Sequence, residues 1–229
     1  MLRQVIRRHR NRRDIGIFIT LEGADGSGKS TQLRKLVRSL RRAGVRPVVT
    51  REPGGTPFAE ALRAGLLNPG SGAVPPIAEA LCVAAARADH LARVIEPALA
   101  AGRIVLCDRF TDATFAYQGA GRGVSRRFLT GLHASPGLRR KPDLTLLFDL
   151  PLGAGLSRAR TRNGRRRAGT RLDRESRAFH QRVVRGYRAI AKAEPRRVKV
   201  IDAGGTEAVV AARVAAVVMP FIARRRGKR

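Results

Sequence analysis

Gly23-Ala24-Asp25-Gly26-Ser27-Gly28-Lys29-Ser30 decides the fold. An apolar run, residues 15–21, precedes it, and an amphipathic stretch, residues 31–42, follows. The pattern G-x-x-x-x-G-K-[ST] between a strand and a helix is a phosphate-binding P-loop. Its glycines let backbone N–H groups turn inward around phosphate oxygens. The helix start adds unpaired N–H groups and the positive end of a dipole. Gly23, Ala24, Asp25, Gly26, Ser27, Gly28, Lys29, Ser30 and Thr31 are therefore the expected cradle for a nucleotide phosphate. Lys29 brings a point charge to the β- and γ-phosphates, and Ser30 a hydroxyl for Mg²⁺. The competing reading, a glycine-rich turn that binds nothing, has both flanks against it.

Outward from this loop, apolar runs at 15–21, 47–50, 104–107, 144–148 and 198–201 read as five strands. Helices are expected between them. Thr56 caps one that runs to residue 67, and Ser125 caps another. Ile77, Leu81, Ala84, Ala88, Leu91, Ile95 and Leu99 recur at spacings of three and four, which predicts one long helix over 77–101. Pro97 is placed to kink it. Further helices are expected at 111–118, 155–162, 176–193 and 206–218, with Pro220 beyond the last. Glycines 119, 121 and 123 read as a loop. Strands alternating with helices predict an α/β domain, a five-stranded parallel sheet with helices on both faces. Ligands of such sheets sit beyond the strand C-termini. The P-loop, Arg51-Glu52 and Asp108-Arg109 all follow strand ends.

Composition narrows the class. A chain of 229 residues suits one domain with a sizeable core. No apolar run reaches 18 residues, so no membrane span is expected. Cys82 and Cys107 form neither a CxxC pair nor a disulfide framework, which suits free thiols in a reducing cytoplasm. Four scattered histidines lack metal-ligand spacing. The formal charge is +30, nearly all from arginine. A surface for polyanions and a plain compositional bias toward arginine both account for it. Residues 1–14 form a basic extension with six arginines, and 223–229 a basic tail.

Phosphoryl transfer asks for positioning and charge neutralisation rather than covalent help. Asp108 ends an apolar strand, as a magnesium-holding aspartate does, although a helix N-cap is also open to it. Arg109 beside it and Arg51 after the second strand together suit a phosphate clamp, because guanidinium matches phosphate geometry. The stretch 158–177 holds nine arginines and is broken by glycines. It reads as a solvated face or as a lid that closes over the donor nucleotide, at about residues 160–176.

The motifs now quoted, with Glu22-Gly23, Arg51-Glu52-Pro53-Gly54-Gly55-Thr56, Ala84-Ala85-Ala86-Arg87, Asp108-Arg109-Phe110, Ala116-Tyr117-Gln118-Gly119, Lys141-Pro142-Asp143-Leu144-Thr145 and Leu172-Asp173-Arg174, run in one order over residues 15 to about 205. In this the chain resembles bacterial thymidylate (dTMP) kinases. The resemblance implies the P-loop kinase fold, the reaction ATP + dTMP → ADP + dTDP, and Mg²⁺. It implies that Asp25 faces the acceptor's 3′-hydroxyl and the reacting phosphates, and that Arg51 and Arg109 hold the acceptor phosphate. Glu52 and Asp108 would organise magnesium-bound water and the arginines, with Ser30 on the metal and Glu52 also at the substrate. Arg87, Thr114 and Gln118 would meet the thymine edge, and Tyr117 would crowd the sugar 2′ position. The P-loop has no arginine between Gly23 and Lys29, so the lid would supply it; Arg160, Arg162, Arg165 and Arg171 are the candidates. A homodimer through the long central helix is implied as well.

Three features depart from the family pattern. Val83 stands where a phenylalanine usually stacks on thymine, a ring worth roughly 0.5–1.5 kcal/mol beyond its buried area. Only Glu175 remains of an acidic run after Asp173-Arg174, and the ends are more basic than usual. A kinase for another nucleoside monophosphate, suggested by Val83, and a P-loop protein that binds nucleic acid, suggested by the charge, are therefore the alternatives. The expected organisation is an extension at 1–14, one kinase domain at 15–222, and the tail.

Overall fold

The computed structural model describes residues 16–166 and 170–227, without the side chains of 159, 160 and 162–166. Its centre is β1 (Ile17–Glu22), buried along its whole length. Such a strand needs apolar residues on both faces, and Ile17, Phe18, Ile19 and Leu21 supply them. The one hydroxyl among them, on Thr20, is matched by Thr145 at 2.8 Å. β1 pairs in parallel with β3 (Ile104–Asp108) and β4 (Leu144–Asp149). β2 (Val48–Arg51) extends the sheet beyond β3, and β5 (Val198–Asp202) beyond β4, giving the order β2-β3-β1-β4-β5. The expected five-stranded parallel sheet is thus present.

Successive residues of β1 point to opposite faces, so the two faces have separate cores. On one, Ile17, Ile19 and Leu21 pack with Leu36 and Leu40 of α1 (Lys29–Arg42) and with Val214, Val218 and Ile222 of α9 (Glu207–Gly227). On the other, Phe18 packs with Leu91 and Ile95, which follow α3 (Pro76–His90). Also on that face, Leu147 packs with Phe179 and Val183 of α8 (Arg177–Ala193). α2 (Pro57–Leu67) lies against α3, and Thr56 caps it by accepting from Ala59 N–H at 3.1 Å.

The structure revises several boundaries. The long helix spans the expected region but changes pitch. Leu91–Ile95 is π-helical, and α4 (Glu96–Ala100) completes it. Pro97 has no N–H and its ring crowds the carbonyl four residues back, so the wider turn falls just before it. Glycines 119 and 121 lie in a π-helical segment, Phe115–Gly121, that continues α5 (Thr111–Thr114), not in a loop. They serve packing: a Cβ on Gly121 would stand 2.7 Å from the Phe179 ring. Ser125 caps α6 (Arg126–Ala134) as expected.

α7 (Leu152–Arg166) starts earlier than expected, and a 3-10 turn, Leu172–Arg174, leads into α8. α9 passes through Pro220 and takes in residues 223–227, so most of the expected tail is helix. Val218 and Ile222, buried on either side of Pro220, contribute roughly 1.5–3 kcal/mol each. Together they offset the ~3 kcal/mol that an interior proline costs. The 1–14 extension and residues 228–229 lie outside the described residues.

Candidate active site

β1, β2 and β3 end side by side, with Leu21 and Arg51 both in register with Asp108. The loops that leave these ends enclose a cavity of about 1210 Å³. The P-loop forms one wall. Lys29 donates to Gly23 O (2.8 Å) and Ala24 O (2.9 Å), which holds its ammonium over the loop. Burial, then the Arg109 charge, push its pKa down to about 8, against the pull of Asp108, Asp25 and Glu22. α1 starts at Lys29, two residues earlier than expected. Its N-cap, Gly28, has φ 90° and no side-chain cap, so no capping side chain competes with a ligand for the N–H groups at the helix start. Gly26 has φ 77°, and a Cβ there would fall 1.9 Å from Gly155 O, so glycine lets the loop dock on α7.

Ser30 Oγ donates to Asp108 Oδ2 at 3.0 Å. Asp108 Oδ1 is buried with no hydrogen-bond partner among the described residues. A hydroxyl and a carboxylate with a spare oxygen are donors of the kind Mg²⁺ takes, since it usually keeps several waters and otherwise binds phosphates. Among the described residues no cluster of three His, Cys, Asp or Glu offers a fuller cage. Of the two roles implied for Glu52, the structure describes the contact with an arginine. Glu52 Oε2 accepts from Arg87 Nε at 2.7 Å and its Oε1 faces His90 Nδ1 at 3.0 Å, both deep in the core.

Arg109 faces the P-loop. It has φ 70°, the one positive φ outside glycine among the described residues. Its Nη2 donates to Asp25 Oδ1 (2.8 Å) and its Nη1 to the Tyr187 hydroxyl (3.1 Å). The guanidinium lies over the Tyr117 ring at 4.9 Å, and Tyr117 donates to Asp25 Oδ2 at 3.0 Å. Asp25, Arg109 and Tyr117 are thereby brought into one cluster. Arg51 reaches both Glu60 oxygens, at 3.0 and 2.9 Å, and is half exposed at the cavity.

Three residues that the sequence reading left without a role belong here. Arg63 donates to Pro53 O at 2.8 Å and lines the cavity; burial, then the Arg51 charge, lower its pKa. Its signal was its position three residues after Glu60 on α2. Glu22 accepts from Phe110 N–H (2.6 Å) and from Tyr187 (2.8 Å), directly behind Arg109. Burial, then the Asp112 charge, push its pKa up to about 8. Tyr187 sits far along the chain in α8, and no motif marked it.

Val83, Arg87, Thr114 and Gln118 also line the cavity. Arg87 donates through Nη2 to Thr114 Oγ1 at 2.9 Å and lies over the Phe110 ring at 5.0 Å. Gln118 donates to Glu79 Oε1 at 2.7 Å. Arg171, one of the lid candidates, is anchored elsewhere. Its N–H and Nε donate to Leu67 O and Leu66 O, and its Nη2 reaches Glu79 Oε2 at 2.5 Å. It therefore fastens the segment before α8 to α2 and α3. Arg158 lines the cavity, whereas the side chains of Arg160, Arg162 and Arg165 lie outside the described residues.

Comparison with known proteins agrees with this geometry. The profile of the family described as thymidylate kinase matches residues 21–214. The thymidylate kinase of Geobacter sulfurreducens is 47% identical over 213 residues, covering 92% of this chain and 100% of the relative. That of Pseudomonas savastanoi pv. phaseolicola is 50% identical over 215 residues, covering 93% and 99%. The crystal structure of thymidylate kinase from Ehrlichia chaffeensis aligns with a TM-score of 0.70 at 31% identity, covering 89% of this chain and 99% of that one.

Proposed function

The chain belongs to the thymidylate kinase family, and on that premise we propose that it transfers the γ-phosphoryl group of ATP to dTMP. One observation carries this reading for the chain's own residues. Asp25 of the P-loop holds both Arg109 and Tyr117, so the donor's cradle and the acceptor's clamp meet at a single carboxylate. An oxygen of the acceptor phosphate attacks the γ-phosphorus while the bond to the β,γ-bridging oxygen breaks. ADP departs, and no covalent enzyme intermediate is needed.

In this scheme the loop N–H groups and Lys29 bind the donor phosphates. Arg109, Arg51 and the half-buried Arg63 hold the acceptor phosphate against the donor, an alignment that two polyanions oppose without such cations. Asp25 orients Arg109 and offers its carboxylate to the 3′-hydroxyl. Tyr117 walls the sugar. Arg87, Thr114 and Gln118 meet the base, with Val83 beside it. Ser30 and Asp108 would hold Mg²⁺, which neutralises donor-phosphate charge when bound. The lid expected at about residues 160–176 falls partly outside the described residues. With Arg171 anchored, Arg160, Arg162 and Arg165 remain of the four candidates for the transferred group, and Arg158, which lines the cavity, joins them.

The kinase unit extends through α9, to residue 227. Phe58, Ile77 and Leu81 are large apolar side chains about half exposed on α2 and α3, which supports a homodimer through this face. No described helix is long and apolar enough to cross a membrane, and both cysteines are free, as suits the cytoplasm. The test is ADP release with ATP, Mg²⁺ and each nucleoside monophosphate in turn. Selective turnover of dTMP is expected. Preference for another monophosphate would move the substrate, and binding of ATP without turnover of any acceptor would overturn the reading.

A further inference from the structure

Arg87 is 1% exposed and carries five N–H groups. Glu52 takes the one on Nε and Thr114 one on Nη2. The third partner is His133 of α6, whose Nε2 meets Nη1. A guanidinium can only donate, so Nε2 presents its lone pair. His133 Nδ1 lies 2.8 Å from Leu129 O, and a carbonyl can only accept, so Nδ1 carries the proton. The two contacts select one tautomer of an uncharged ring. Burial and then the Arg87 charge act in the same direction, holding the His133 pKa down to about 4. The Phe115 ring, 5.6 Å away, packs against the imidazole.

A single bond at Nε leaves the guanidinium free to swing. Bonds at Nη1 and Nη2 as well fix its plane. One N–H then remains on each Nη, and Arg87 borders the cavity. Such donors suit an acceptor such as a ring carbonyl and oppose an amino group, because donor would face donor. Glu52 already balances the arginine's charge. A neutral acceptor at the third position aims the group without adding a second carboxylate.

We propose that His133 is a positioning residue that aims Arg87 at the acceptor's base, and so sets preference for a base with a carbonyl at the edge Arg87 faces. The proposal rests on the reading that Arg87 meets the base.

The test compares His133→Phe, which keeps a ring of similar size without the acceptor, with His133→Gln, which returns an amide oxygen. Kinetics are measured with dTMP and dCMP, together with the KM for ATP. For His133→Phe, the KM for dTMP should rise about tenfold or more, and the dTMP/dCMP ratio of kcat/KM should fall by a similar factor. The KM for ATP should stay within about twofold, and His133→Gln should recover most of the loss. A dTMP/dCMP ratio unchanged in His133→Phe, or equal rises in both KM values that His133→Gln does not reverse, would overturn the proposal. Arg87→Ala separates the underlying reading. If it leaves the ratio unchanged, Arg87 does not read the base; if it collapses the ratio while His133→Phe does not, only the positioning role fails. Should His133→Phe not fold, ¹⁵N spectra of the wild-type imidazole at pH 7 decide: a neutral ring protonated on Nδ1 supports the proposal, and the other tautomer or a charged ring overturns it.

Discussion

The residue on which both halves of the site depend is Arg109. Its positive φ is a strained backbone state for a bulky residue, of order 1–3 kcal/mol, and the surroundings have to hold it. Its own N–H bonds to Leu21 O, the next N–H bonds to Glu22, and the guanidinium is caught between Asp25, Tyr187 and the Tyr117 ring. Arg109→Ala should therefore raise the KM for dTMP far more than that for ATP, and lower kcat by about 10²-fold or more. Steady-state kinetics with each substrate varied in turn would check it, and equal effects on both KM values would remove Arg109 from the acceptor clamp. Glu22 gives a prediction in pH. Its folded pKa of about 8 lies above its ordinary value of 4.5, so between these values the folded chain keeps a proton that the unfolded chain releases. Its contribution to stability is complete below about pH 4.5 and is lost as pH rises through about 8. Relative to Glu22→Gln, the wild type should lose stability between pH 5 and 8, with a slope of at most about 1.4 kcal/mol per pH unit. Urea unfolding of both proteins at several pH values measures this, and parallel curves would contradict it.

At the scale of elements, Arg171 is the residue whose place the packing decides. Arg171 looked like a cation for the transferred phosphoryl group because it lay in an arginine-rich run. In the fold it joins three elements. It donates to the last carbonyls of α2 and to Glu79 of α3, and Glu79 in turn holds Gln118 of the π-helical segment. Removing it leaves a buried carboxylate with one cation fewer. Arg171→Ala should cost about 1–3 kcal/mol in urea unfolding without changing the m-value. It should also raise the KM for dTMP through Gln118, whereas an unchanged midpoint would make the anchor dispensable. The long helix teaches the same lesson. Its three-and-four spacing was legible over 77–101, but the π turn at Leu91–Ile95 follows from one proline and from Leu91 and Ile95 meeting Phe18 across the sheet face.

For the molecule as a whole, 47 basic residues face 17 acidic ones. Several of the acids are paired with Arg87, Arg109 and Arg197, and each such pair cancels one base, so the whole excess of positive charge is left to the rest of the chain. Self-repulsion of this kind weakens the compact state and is screened once the Debye length falls to about 10 Å near 0.1 M salt. The melting temperature should climb as NaCl is raised from about 10 mM to 0.3 M, a range over which screening tightens severalfold. A flat or falling curve would mean that surface pairs such as Arg140–Glu96 outweigh the repulsion. The sequence by itself determined the parallel α/β sheet, the P-loop, the strand-end placement of Arg51, Asp108 and Arg109, and the family. Those features are local: glycine positions, an apolar period, and residue types set at fixed short spacings. Only the tertiary structure decided that Glu52 pairs with Arg87 and His90, and that Arg171 is an anchor. It alone brought Glu22, Arg63, His133 and Tyr187 to the site. Each of those depends on which side chain answers a buried charge across the packed elements, and partners as far apart as Glu22 and Tyr187 leave no pattern along the chain.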